Sequence, residues 1–186
     1  MLILASKSPR RKAILRSLEI RFSVIPSCVR ETRHKHLEPA PLVQFLALKK
    51  ALWIAKRYPG RWTLAADTLV FLNKRILGQP GSLTHAKRML RSLSGSKHEV
   101  LTGLALIRGT DGRVFQDYGR SGVRFRVLTK KEINFYAKKH QDKAGCYAIQ
   151  EKKDPVAKVV SGEYSNVVGL PVATLKKLLR KAEFRK

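Results

Sequence analysis

Acidic side chains are in short supply: 13 Asp and Glu stand against 39 Lys and Arg, a formal charge of +26. A field of that sign draws polyanions, so nucleotides, nucleic acid or an anionic membrane surface are the partners it favours. Cysteine is nearly missing as well. Cys28 and Cys146 show no CxxC spacing, which removes the usual zinc sites and leaves reduced thiols as the expectation. Long apolar runs are also lacking. Only Leu2 to Ala5 follow Met1 as an apolar run, too short for a signal-peptide core, and nothing approaches the ~20 residues of a membrane span. A soluble, cytoplasmic chain with no membrane role is expected.

The common signatures of nucleotide and hydrolase chemistry are absent too. There is no GxxxxGK[ST], no GxGxxG, no HExxH, no GxSxG and no Cys/His cluster. Phosphate binding of the P-loop type is excluded. The basic residues are dispersed rather than interleaved with aromatics, which weighs against a dedicated nucleic-acid reader.

What is present reads as one globular domain over 1–186, with 44% apolar and 28% charged residues. Leu2 to Ala5 suggests a short buried strand. Ser8-Pro9 then supplies an N-cap and a first-turn proline for a helix to about Glu19, with Ile14, Leu15 and Leu18 inward. RFSVIP (Arg21 to Pro26) reads as a strand, and Pro41 to Tyr58 as a helix burying Leu42, Phe45, Leu46, Leu52 and Ala55. WTLAADTLVFL (Trp62 to Leu72) and RIL (Arg75 to Leu77) read as a hairpin turning near Asn73-Lys74. Ser82 caps a helix to Leu93. HEVLTGLALIRG and GRVFQDYG form a second hairpin, VRFRV a further strand, and Thr129 with Glu132 a capping box for a helix to about His140. CYAIQ and VAKVV read as strands and PVATLKKLLRKA as a terminal helix. Helices interleaved with strands and hairpins imply an α/β or α+β fold with a mixed sheet.

Two stretches stand out chemically. Ser6-Lys-Ser-Pro-Arg-Arg-Lys12 puts four cations and two hydroxyls where a strand gives way to a helix N-terminus, a natural anion site. Arg10 and Arg11 suit forked pairing with phosphate oxygens. The same residues also describe a capped basic helix on a basic surface. Asp67 is the second oddity. Between Glu38 and Glu99 it is the sole acid among eleven Lys and Arg, and it sits mid-strand, where Asp is disfavoured. Asp67 and Thr68 must point to opposite faces. Taken by itself, Asp67 suits either a tie to a Lys or Arg or the binding of metal and activation of water. Glu31 is a second metal-directed candidate or a solvated loop residue. One of Lys49 and Lys50 must face nearer the core. His34 and His36 are read as surface residues, and His85, His98 and His140 are left unassigned.

LASKSPRRKAIL (Leu4 to Leu15), AADTLV (Ala65 to Val70), LSGSKHEVLTGLAL (Leu93 to Leu106), DKAGCYAIQ (Asp142 to Gln150) and NVVGLP (Asn166 to Pro171) extend over nearly the whole chain. In this order and spacing they resemble the Maf family of nucleoside triphosphate pyrophosphatases, also described as septum-formation inhibitors. The resemblance implies a two-lobed α/β fold, related to the inosine triphosphate pyrophosphatases, with a mixed twisted sheet and flanking helices around a deep cleft. It implies cleavage between the α- and β-phosphates with a divalent metal: Mg²⁺ first, Mn²⁺ or Co²⁺ as alternatives. By position it makes Asp67 the base that activates water, with Lys50 and Glu31 beside it, and Asp67 and Glu31 the metal ligands. It makes Ser6, Arg10, Arg11 and the Gln79 position phosphate-binding. Arg10, Thr68 and Gln150 fit the dTTP/UTP branch, where a glutamine amide pairs with a pyrimidine's imide edge. Modified nucleotides and a homodimer stay open.

The chain departs from that pattern at Gln79-Pro80, where the family usually has Lys-Pro, and at Ala148 and the residues after Gln150, where glycine is usual. Loss of one charge-assisted hydrogen bond, about 1.5–3 kcal/mol, would slow the reaction roughly ten- to a hundredfold. Lys7 or Lys74 are candidate substitutes. The rival reading is a Maf-fold protein of low or no activity whose charge serves nucleic-acid binding, with affinity that falls steeply in salt.

Overall fold

The computed structural model describes residues 1–29, 38–73, 75–141, 143–149 and 155–185. Its seven strands are β1 (Leu2–Leu4), β2 (Phe22–Val24), β3 (Trp62–Leu72), β4 (Arg75–Leu77), β5 (Lys97–Ile107), β6 (Val114–Phe125) and β7 (Ala157–Ser161). They form one sheet in the order β2-β1-β3-β5-β6-β7, with β4 also on β3. β1 is parallel to both neighbours and every other pairing is antiparallel, the mixed sheet expected from the sequence.

Six α-helices flank it: α1 (Pro9–Ser17), α2 (Pro39–Ala55), α3 (Leu83–Leu93), α4 (Lys130–Lys139), α5 (Tyr164–Val168) and α6 (Val172–Lys181). Their starts follow the side chains. Ser8 and Ser82 accept from the third backbone N–H beyond them, and Thr129 with Glu132 completes the capping box. None of the described helices is long and apolar enough to cross a membrane.

Side-chain alternation on β3 divides the core into separate clusters. On one face Ala65 joins Ala47, Ala51 and Ile54 of α2 in one cluster. On the other face Leu64 and Ala66 join Leu15 of α1 and Leu175 and Leu178 of α6. Farther along that second face, Val70 and Leu72 join Leu90 of α3 and Tyr136 of α4. β5 repeats the division, with Leu104 in the α1–α6 cluster and Val100 in the α3–α4 cluster. Between these two clusters lie Thr68 on β3 and its register partner Thr102 on β5. A polar seam thus divides two apolar cores.

Several expectations change. α2 buries Leu42, Val43, Leu46, Ala47, Ala51 and Ile54, whereas Leu52 is 38% exposed. An almost wholly apolar helix has no clear period, and the small residues decide which side comes close to the sheet. The VRFRV segment is not a separate strand up to Phe125 but the continuation of β6, past an irregularity at Gly122/Val123. The segment expected as strand CYAIQ opens instead as a 3₁₀ turn, Ala144–Cys146, and Tyr147 and Ala148 are in neither helix nor strand. Cys146 and Tyr147 are buried against α3 and α4, so their apolar character serves a core rather than a ladder. α5 is an addition to the expected elements. Gly169, at φ 114, closes it in the left-handed conformation.

His98 is buried, its Nε2 2.7 Å from the Tyr147 hydroxyl. Burial pushes its imidazole from the ordinary 6.5 down to about 4. The folded state therefore binds fewer protons than the unfolded state between those values. Stability is complete above pH 6.5 and falls as the pH drops towards 4. The loss amounts to about 3 kcal/mol. His98→Gln is expected to flatten that limb of a melting-temperature-against-pH curve relative to the parent chain; parallel curves would contradict it.

Candidate active site

The site grows from a gap along one edge of β3. β1 covers that edge only as far as Leu64, and β4 takes it up again at Val70. No described strand pairs with it between those points. Side chains from both faces of β3, Asp67 from one and Thr68 from the other, reach the notch. A cleft of about 960 Å³ opens there.

On one side stands the turn that carries β1 into α1. Ser8 Oγ accepts from the Arg11 N–H, which orients the helix N-terminus. Ser6 Oγ accepts from the Ser8 N–H at 3.2 Å and from Arg11 Nη1 at 3.1 Å. Arg11 also donates from Nε to the Gly169 carbonyl at 2.8 Å and from Nη2 to Thr68 Oγ1 at 3.0 Å. Three elements therefore hold one guanidinium. Arg10 lies beside it in the cleft wall, its Nε buried and without an acceptor among the described residues. A buried donor in that state suits an incoming anion.

On the other side is Asp67. Its side chain is 5% exposed, and Lys50 Nζ of α2 donates to Oδ1 at 2.5 Å. The approach of α2 depends on Gly103, the register partner of Asp67 on β5. A Cβ there would collide with the Val43 carbonyl. Helix backbone rests on strand backbone at this point, which brings Lys50 within reach of the carboxylate. Asp67 is thus paired, as one sequence reading allowed, and it still shares the cleft with the Ser6–Arg11 turn.

The charges in the cleft wall are lopsided. Lys7, Arg10, Arg11, Lys50 and Lys143 line it, and Asp67 is the lone carboxylate among the described lining residues. Of the residues named from the sequence, Ser6, Arg10, Arg11, Lys50, Asp67, Thr68 and Gln79 all meet here. Glu31, Gln150, Lys74, His34 and His36 lie outside the described residues. Among the described residues no group of three His, Cys, Asp or Glu is placed to hold a metal by itself.

Sequence reading does not single out Lys143 or His140, both in the cleft wall. Gly145 N–H donates to the Gly78 carbonyl at 3.2 Å and ties the Lys143 turn to the Gln79 loop. Lys143 falls within the family-like DKAG stretch, but nothing in a linear sequence says that two distant loops meet. Neither His98 nor His140 is at the surface, each being 3% exposed.

In fold, the chain is similar to the Ham1 protein of Staphylococcus aureus, with a TM-score of 0.54 at 12% identity over 97% of this chain and 98% of that one. This likeness is one of fold, a mixed α/β sheet flanked by helices, as the sequence implied. The model of the Maf-like protein family matches residues 1–182. Three relatives are each named dTTP/UTP pyrophosphatase. The protein of Bacillus mycoides strain KBAB4 is 42% identical over 96% of this chain and 94% of its own. That of Symbiobacterium thermophilum is 43% identical over 92% and 88%, and that of Myxococcus xanthus 42% identical over 98% and 92%. The chain belongs to the Maf family.

Gly103→Ala is expected to destabilise the protein by about 1–3 kcal/mol, since a methyl group must displace α2 from β5. Denaturant unfolding measures it, and an unchanged midpoint would mean that α2 is free to shift.

Proposed function

We propose that this protein hydrolyses dTTP and UTP to the nucleoside monophosphate and pyrophosphate. One arrangement carries the proposal: an Asp67–Lys50 pair facing the Ser6–Arg11 turn in a cleft whose other charged, described lining residues are all cationic. That wall suits a triphosphate, and the relatives that share nearly the full chain are named for this activity. Lining residues from Ser6 to Gly169 converge on the one cleft, which supports reading 1–186 as a single domain.

In this reading the α1 N-terminus, Ser6, Arg10 and Arg11 grip phosphate oxygens and fix the chain of the triphosphate. Asp67 takes a proton from water as the water oxygen bonds to phosphorus. The bridging bond between the α- and β-phosphates breaks, and pyrophosphate leaves with the electron pair. Lys50 holds the carboxylate in place from the side of α2. The cationic wall offsets the charge that collects on the leaving oxygens, which is where preorganised electrostatics contributes most.

A divalent cation, Mg²⁺ before Mn²⁺ or Co²⁺, fits this donor set. Such ions take one or two carboxylates and complete their shell with substrate phosphates and water. Asp67 would supply a carboxylate oxygen. Glu31 is the second carboxylate by resemblance. When bound, the ion would offset phosphate charge. Selection of the base falls to Arg10, Thr68 and Gln150, again by resemblance. The Thr68 hydroxyl is already engaged with Arg11 and Thr102, so its part runs through the phosphate clamp.

Asp67→Asn is expected to keep the fold and cut pyrophosphate release from dTTP or UTP by at least roughly a hundredfold. Unchanged turnover, measured by released pyrophosphate with Mg²⁺ present, would refute the assignment. Gln79→Lys is expected to raise kcat/KM roughly ten- to a hundredfold by restoring a cation to the cleft wall. A fall instead would show that the site has been rebuilt around the amide.

A further inference from the structure

Thr102 and Asn166 have no task in the reaction described above, although both are 0% exposed. Their hydrogen bonds form a chain whose direction is dictated at its two ends. Arg11 can only donate, so Thr68 Oγ1 accepts from Nη2 at 3.0 Å. The Asn166 carbonyl can only accept, so the Thr102 hydroxyl spends its one proton there, at 3.0 Å. The 2.9 Å contact between the two threonine hydroxyls is then settled: Thr68 donates and Thr102 accepts. The run is Arg11 to Thr68 to Thr102 to Asn166, each group donating to the next.

The far end is anchored. Asn166 Nδ2 donates to the Val100 carbonyl and to Ser121 Oγ, both at 2.9 Å. Three residues on, the Gly169 carbonyl takes Arg11 Nε directly. Helix α5 therefore holds the guanidinium twice, once by its closing glycine and once through the two threonines. The Asn166 carbonyl also accepts from the Gly169 N–H at 3.0 Å, so one oxygen closes the helix and holds Thr102 at once.

Resting on the triphosphate reading of the cleft, we infer that Thr102 and the Asn166 carbonyl are positioning groups that aim Arg11 at the phosphates. The Thr68–Thr102 seam between the two cores transmits the placement of α5 to the clamp. Each hydroxyl polarises the next in a dry interior, so loss of the middle member loosens the whole run.

Thr102→Val keeps the shape and removes the hydroxyl, whereas Thr102→Ser keeps the hydroxyl. Two measurements apply to both variants: kcat and KM for dTTP hydrolysis, and calorimetric binding of inorganic tripolyphosphate. Thr102→Val is expected to lose about tenfold in kcat/KM and about tenfold in tripolyphosphate affinity, with Thr102→Ser close to the parent chain in both. If the parent chain does not turn over dTTP but the binding contrast holds, the proposed function fails and the positioning role stands. Valine and parent values that agree in both measurements, even with a lowered melting temperature, would reduce Thr102 to a space-filling role and overturn the inference. So would a serine variant as impaired as the valine one. Thr102→Ala serves in place of Thr102→Val should the latter not fold.

Discussion

The edge of β3 between Leu64 and Val70, with which no described strand pairs, is the constraint from which the site follows. A strand bordered on both sides presents its faces to helices and nothing else. Where β1 has ended and β4 has not begun, the two faces meet at one opening. Asp67 and Thr68, which alternation would keep apart, contribute to the same cleft. The turn after β1 then starts α1 beside that opening, so the termination of β1 both bares the edge and delivers the helix N-terminus proposed to hold phosphate.

Burying charge in such a place requires partners. Asp67 has Lys50 against it, and the close seat of α2 on Gly103 makes that pair reachable. Arg11 is held by Ser6, Thr68 and Gly169, drawn from three separated parts of the chain. The cations of the cleft wall face one another without equal countercharge from described residues, an arrangement that costs self-repulsion until a polyanion enters. The net charge of +26 is consistent with that local bias but extends well beyond it.

Much of the scaffold is legible in the sequence because its signals are local. Ser8-Pro9, Ser82 and the Thr129–Glu132 box each mark a helix start that the structure contains. The two hairpins follow from apolar runs separated by turn residues. The departures share a different cause. Leu52 reads as buried and is exposed, and Cys146-Tyr147 reads as strand but belongs to no strand and packs into a core. In both places apolar content alone is compatible with several arrangements. α5 is hidden because its valines favour extended chain, and its helix is held by Gly169 and by contacts from elsewhere.

For the site, the sequence by itself determined the chemical inventory: an isolated carboxylate, a hydroxyl-and-arginine helix start, and neutral Gln79 where the resemblance leads one to expect a lysine. Those are properties of residue type and near neighbours, which hold before any folding. Tertiary structure alone decided that Lys50 pairs with Asp67, that Lys143 and Gln79 share one wall, and that Arg11 is fastened by the end of α5. Partners far apart in the chain are chosen by which surfaces come together. Here that choice turned in part on Gly103, whose missing side chain lets the backbones of α2 and β5 come close.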